Sequence, residues 1–183
     1  MFKIRSLVPA LVAVTFAFGA QADGKKCRVI DKPEVKFTAV GPAGLKIDGS
    51  GDILSADDDG KRIVLKASVR NLKTGIGLRD SHTKKYIEAE KFPEATLKVD
   101  RSALKFPEDK KKSEGKATGK FTLHGVEKDL PFHYTAERHG SDLVIDGRAK
   151  VNILDHKIEK PCYLGVCVDP EVKIVVHFKL RES

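Results

Sequence analysis

The sequence predicts an all-β antiparallel domain, and three observations carry that prediction. Apolar and polar residues alternate with a period of two along most of the chain. Turn residues interrupt the alternation at short intervals: Gly41-Pro42, Asp57-Asp58-Asp59-Gly60, His124-Gly125 and His139-Gly140-Ser141-Asp142. Only Ser81 to Phe92 reads as helical.

Taken in order, Val35, Phe37 and Ala39 share one strand face while Lys36 and Thr38 take the other. Leu45 and Ile47 alternate with Lys46 and Asp48. Ile63, Leu65, Ala67 and Val69 alternate with Arg62, Lys66 and Ser68. Next come Ala95/Leu97/Val99, Ala117/Gly119/Phe121/Leu123 and Leu130/Phe132/Tyr134/Ala136. Leu143/Ile145/Gly147/Ala149/Val151 and Val172/Ile174/Val176/Phe178/Leu180 complete eight predicted strands, each with one apolar face. Such a series suits a closed barrel or a sandwich, and periodicity alone does not choose between them. In the helical stretch Asp80 is placed to cap the N-terminus, and His82, Tyr86 and Ala89 fall on one face. Pro93 ends it. Neither an internal repeat nor a linker divides the chain, so residues 23–183 are expected to form one domain.

The first 22 residues read as a secretory leader. Lys3 and Arg5 are followed by an apolar run from Leu7 to Gly19, too short to span a bilayer. Ala20-Gln21-Ala22 forms a small-x-small cleavage site, and Cys27 lies too far downstream for a lipoprotein. The expected product is exported to the periplasm without stable membrane insertion. Cleavage removes two basic and no acidic residues, lowering the formal charge from +8 to +6. Nucleic acid is not the expected partner of this excess. Lys46, Lys66, Lys98, Lys173 and Lys179 alternate with apolar residues as a solvated outer face that also discourages edge pairing. A recognition helix, a zinc finger and a stacking aromatic platform are missing from the pattern. A weak attraction to anionic membrane surfaces is compatible with the charge.

Three cysteines in an oxidising compartment allow one disulfide and one leftover thiol. Cys162 and Cys167 enclose four residues and are slightly favoured as the pair, although residues five apart on a straight strand face opposite ways. Their bridge therefore requires a bend, and Cys27 with either one is the rival. The spacing does not match a thioredoxin-like redox pair.

Three segments carry a family resemblance: Leu72 to Pro93, with Gly75, Gly77 and Arg79-Asp80-x-His82; Gly119 to Pro131; and Pro161 to Val172 around Tyr163-Leu164-Gly165-Val166. In this order they resemble the YceI-like, lipid- or polyisoprenoid-binding family of bacterial periplasmic proteins. The resemblance implies a lipocalin-like eight-stranded antiparallel β-barrel with one short helix, holding an apolar chain. Its ligand would be a long-chain amphiphile: a polyisoprenoid, an isoprenoid quinone or a fatty-acid derivative. Homodimers are compatible with the family, though no segment compels one.

An eight-stranded barrel is about the smallest that can hold a ligand. Phe37, Leu65, Phe121, Phe132, Tyr134, Ile145 and Ile174 are the expected inward contacts, with Ala39 and Ala149 among the small positions that leave room. Gly49, Ala67, Ala117, Gly119, Ala136 and Gly147 also count as small inward positions. Each buried CH₂ contributes ~0.8 kcal/mol, so a long chain is held by apolar contact alone. A filled barrel acting through protein partners, and an accessory to a membrane quinone enzyme, are the rival readings.

Arg79, Asp80, His82 and Tyr86 are the candidate polar contacts to a ligand head. The competing view, which carries more weight, makes Asp80 a helix cap and Arg79 its partner or that of a strand carbonyl. Gly75 and Gly77 are expected to supply unusual backbone angles on the way into the helix. His124, His133 and His177 are expected to face outward without metal-binding spacing. Asp57-Asp58-Asp59-Gly60 has Ser68 where a calcium loop needs Glu, so a hairpin turn is expected. Neither a Gly-x-Ser-x-Gly elbow nor a phosphate loop is present, and neither enzymatic chemistry nor a cofactor is expected.

Overall fold

The computed structural model describes residues 27–163 and 166–182; the leader and Leu164-Gly165 lie outside them. Nine strands form one antiparallel sheet and two short ones a separate hairpin. They are β1 (Cys27–Val40), β2 (Lys46–Gly51), β3 (Leu54–Asp58), β4 (Arg62–Ser68), β5 (Glu94–Asp100), β6 (Lys112–Leu123), β7 (Val126–His139), β8 (Asp142–Asn152), β9 (Cys162–Tyr163), β10 (Val166–Cys167) and β11 (Glu171–Glu182). The large sheet runs β2-β1-β11-β8-β7-β6-β5-β4-β3.

The sheet curls into a barrel through its two edge strands. β2 pairs with β1 from Val35↔Gly51 to Val40↔Lys46, and β3 pairs with β4 from Leu54↔Ala67 to Asp58↔Ile63. The chain from Lys46 to Asp58 therefore acts as one bent strand that changes partner near Asp52. β3 also lies against β1, and Ser50 exchanges two backbone hydrogen bonds of 2.8 Å with Lys73. Counted this way the barrel has the eight staves that the alternation predicts. The sequence reading missed the 54–58 half, because an acidic run looked like turn alone. Asp57 and Asp58 belong to the strand, and the turn falls at Asp59, whose carboxylate accepts from the Lys61 and Arg62 amides.

Period-two alternation sets the register. Phe37 opposes Ile174, Ile174 opposes Ala149, and Ala149 opposes Phe132, so one apolar ring crosses four strands. Leu143, Phe178, Leu180, Cys27 and Ala56 form a buried cluster towards one end. Phe121, Leu130 and Val151 form a second towards the other. The β6–β7 hairpin turns on His124 (φ 52°) and Gly125 (φ 73°), the two left-handed residues that a type I′ turn requires.

Helix α1 spans Gly77–Tyr86, beginning and ending earlier than the predicted 81–92. Ile76 is its N-cap residue and supplies no side-chain bond. Asp80 lies in the first turn instead of at the cap. Its carboxylate accepts from the Thr74 amide and hydroxyl, both at 2.6 Å, and ties the approach segment to the helix. Gly75 has φ 80°, as the approach requires, whereas Gly77 simply starts the helix.

Candidate functional site

A cavity of about 460 Å³ occupies the barrel, within the range usual for a small-ligand site. Its walls are apolar side chains from β1, β4, β5, β6, β7, β8 and β11. Phe37, Ala39, Leu65, Phe121, Phe132, Tyr134, Ile145, Ala149 and Ile174 all line it. Arg79, His82 and Tyr86 line it from α1. Asp80 does not: bonded to Thr74, it stands aside from the cavity, and it is not the partner of Arg79. Arg79 is half-buried and forms no ion pair among the described residues. Not every small inward position is open space. The Phe37 ring lies over Gly49, where an added Cβ would come within 2.3 Å of it.

α1 covers one end of the cavity. Arg79, His82, Thr83 and Tyr86, spaced along one helical stripe, all face in. The lid is thus polar on its inner side, above an apolar lumen. The Tyr86 hydroxyl holds the helix against the 162–167 hairpin: it donates to the Cys162 carbonyl at 3.3 Å and accepts from the Cys162 amide at 3.4 Å. Cys162 and Cys167 are joined by a disulfide, and their pairing as direct partners on β9 and β10 supplies the needed bend. Cys27 is the free thiol among the described cysteines.

His124 is a correction to the sequence reading. It does not face outward: its Nδ1–H donates to the His156 carbonyl at 3.1 Å, and Phe92 meets its ring edge-on at 4.8 Å between centroids. His156 is itself buried, donates from Nδ1 to the Val126 carbonyl at 2.9 Å, and stands edge-on to Phe121. Together the two imidazoles fasten the β6–β7 turn to the Ile153–His156 turn beside the mouth. His133 and His177 do face out, and His177 meets Asp146 at 2.7 Å.

A charged network closes the far end. Arg101 pairs with Asp58, and its second amino group meets Glu182 Oε1 at 2.9 Å. Arg138 meets Glu182 Oε2 at 2.7 Å and also donates to the Pro107 carbonyl. The Arg101 guanidinium sits 4.2 Å from the Phe106 ring centroid. Burial pushes the Cys27 thiol, beside Arg101, up to about 11. These groups come from β1, β3, β7, β11 and the turn after β5, which is why sequence spacing did not reveal them. Ile153 and Ile158, also missed, line the mouth; Ile153 continues the β8 alternation past Val151, whereas Ile158 follows the Ile153–His156 turn.

The YceI-like domain model matches residues 22–180. The chain belongs to the YceI-like family. Its fold is also that of solved members and relatives. A polyisoprenoid binding domain from Saccharophagus degradans, implicated in plant cell wall breakdown, superposes with a TM-score of 0.74 at 13% identity. That match covers 87% of this chain and 99% of the other. BcnA of Burkholderia cenocepacia gives 0.62 at 19% identity, over 79% and 95% of the two chains. The Campylobacter jejuni YCEI protein gives 0.52 at 17% identity, over 100% and 99%. Comparison with curated protein sequences finds no match. At these identities the structural likeness concerns the YceI-like fold. Among the described residues no helix is long and apolar enough to cross a membrane.

Proposed function

We propose that this YceI-like chain is an exported carrier that holds one long-chain amphiphilic lipid in the barrel lumen. The apolar cavity carries this reading. Nearly all of its lining is hydrocarbon, so it favours a chain by burial, at ~0.8 kcal/mol per CH₂, and selects length and bulk over chemistry. A polyisoprenoid, an isoprenoid quinone or a fatty-acid derivative meets that description. The tail would lie among Phe37, Leu65, Phe121, Phe132, Tyr134, Ile145 and Ile174, with Ala39 and Ala149 leaving room. The head would meet Arg79, His82 and Tyr86 beneath the lid, with Asp80 holding the lid in place. The polyisoprenoid-binding relative supports this class of ligand. The leader, residues 1–22, would send the protein to the periplasm.

Binding, not catalysis, is the function we infer, because the cavity offers contact and a polar lid. A filled barrel working through protein partners has the cavity against it. The test is Ala149→Phe, which puts a ring into the lumen at a position facing Phe132 and Ile174. Val175→Phe, on the outer wall, is the control. Lipid recovered by organic extraction should disappear from the first and persist in the second. Equal lipid in both folded variants would count decisively against the lumen as the site.

A further inference from the structure

We propose that the rim of the barrel mouth is a docking surface for the anionic face of a lipid bilayer. The purpose of this surface rests on the carrier reading; its geometry does not. Six large apolar side chains are conspicuously exposed among the described residues, and four of them stand on connections at the mouth: Leu45, Ile76, Leu78 and Leu154. Leu78, at 66%, and Leu45, at 61%, are the most exposed of all. Leu45 also lines the cavity, so the exposed apolar surface is continuous with the lumen.

α1 is inverted relative to an ordinary surface helix. It turns Arg79, His82, Thr83 and Tyr86 towards the cavity, holds no buried residue, and leaves Leu78 in water. Ordinary packing would place the leucine inward and the arginine outward. An apolar side chain held out beside an open lumen is explained by a second apolar phase that meets the mouth.

Charge identifies that phase. Between Leu72 and Tyr86 the chain carries Lys73, Arg79, Lys84 and Lys85 against the single acid Asp80. Asp80 is occupied by Thr74, and the four basic groups form no ion pairs among the described residues. Several wall lysines behave differently. Lys36, Lys66, Lys98, Lys120, Lys150 and Lys179 each meet a carboxylate. An excess of basic residues around protruding leucines matches a surface of anionic headgroups over hydrocarbon. Docked there, the lumen would open onto the membrane, and a lipid tail would enter without crossing water. The opposite end, closed by Arg101, Asp58, Glu182 and Arg138, offers no such path.

The test is flotation with vesicles of phosphatidylcholine alone and of a phosphatidylcholine–phosphatidylglycerol mixture. It runs beside uptake of a monomeric fluorescent fatty acid from solution, with sedimentation velocity reporting the oligomeric state. The protein should bind the mixed vesicles in a salt-sensitive way. Ile76→Ser/Leu78→Ser and Lys84→Gln/Lys85→Gln should each weaken binding by on the order of tenfold. Val175→Ser should not, and uptake from solution should persist in every variant. Absent flotation with intact uptake would overturn the docking surface and leave the carrier standing. So would a dimer that Leu78→Ser dissociates, because a second copy would then cover the rim. Retained, variant-sensitive flotation without uptake would support the surface and overturn the carrier reading instead.

Discussion

Glu182 gives each carboxylate oxygen to a different guanidinium, Arg101 and Arg138. Burial alone would raise its pKa, but the two arginines outweigh that and hold it below the ordinary glutamate value of 4.5. A depressed folded pKa stabilises the fold above the unfolded value, and the stabilisation is lost as pH falls through the folded one. Wild-type melting temperature should therefore drop below about pH 4.5 more steeply than that of Glu182→Gln. Near neutrality that substitution should cost about 1–3 kcal/mol, because Arg138 loses its carboxylate while Arg101 keeps only Asp58. Parallel pH profiles for the two proteins would refute this role. Cys27 makes a second residue-scale prediction: with its thiol pushed up to about 11 by burial, it should resist maleimide at neutral pH and react on unfolding. Ready labelling of the folded protein would show that the closed end is open. At Gly49, a methyl group would press into the Phe37 ring. Gly49→Ala should cost about 1–3 kcal/mol in urea denaturation.

Elements differ in how much of them the sequence disclosed. The long staves were legible because each alternates cleanly and ends in turn residues, as β7 does between Gly125 and Gly140. β3 was not, because Asp57 and Asp58 resemble a turn until Asp58 is seen to meet Arg101 across the closed end. α1 was found but misplaced. Asp80 suggested a cap, whereas its bonds to Thr74 secure the segment before the helix. The Thr74 hydroxyl and amide hold the Asp80 carboxyl below its usual range, so the tie is present at neutral pH and lost as pH falls through that lowered value. Asp80→Ala should accelerate amide exchange across 77–86 while the barrel ladder keeps its protection. Unchanged exchange in the helix would mean that the hairpin contact of Tyr86 holds the lid by itself.

Across the whole molecule, polarity is layered along the barrel: an ionic plug, an apolar lumen, a polar lid stripe and an apolar, basic rim. The lining of the lumen could be read from strand alternation, since inward and outward residues separate by parity alone, whereas its being hollow could not. Neither end could. The plug joins residues as distant as Asp58, Arg101 and Glu182, and the rim depends on which side of α1 faces water. This layering makes the molecule a one-ended container, which we propose holds a lipid. The most direct measurement is native mass spectrometry of the protein purified from cells without detergent, followed by organic extraction and lipid analysis. A single adduct of one long-chain amphiphile per protein, missing from Ala149→Phe, is the predicted result. A bare mass for the wild type, with no adduct after incubation with isoprenoids, quinones or fatty acids, would contradict it.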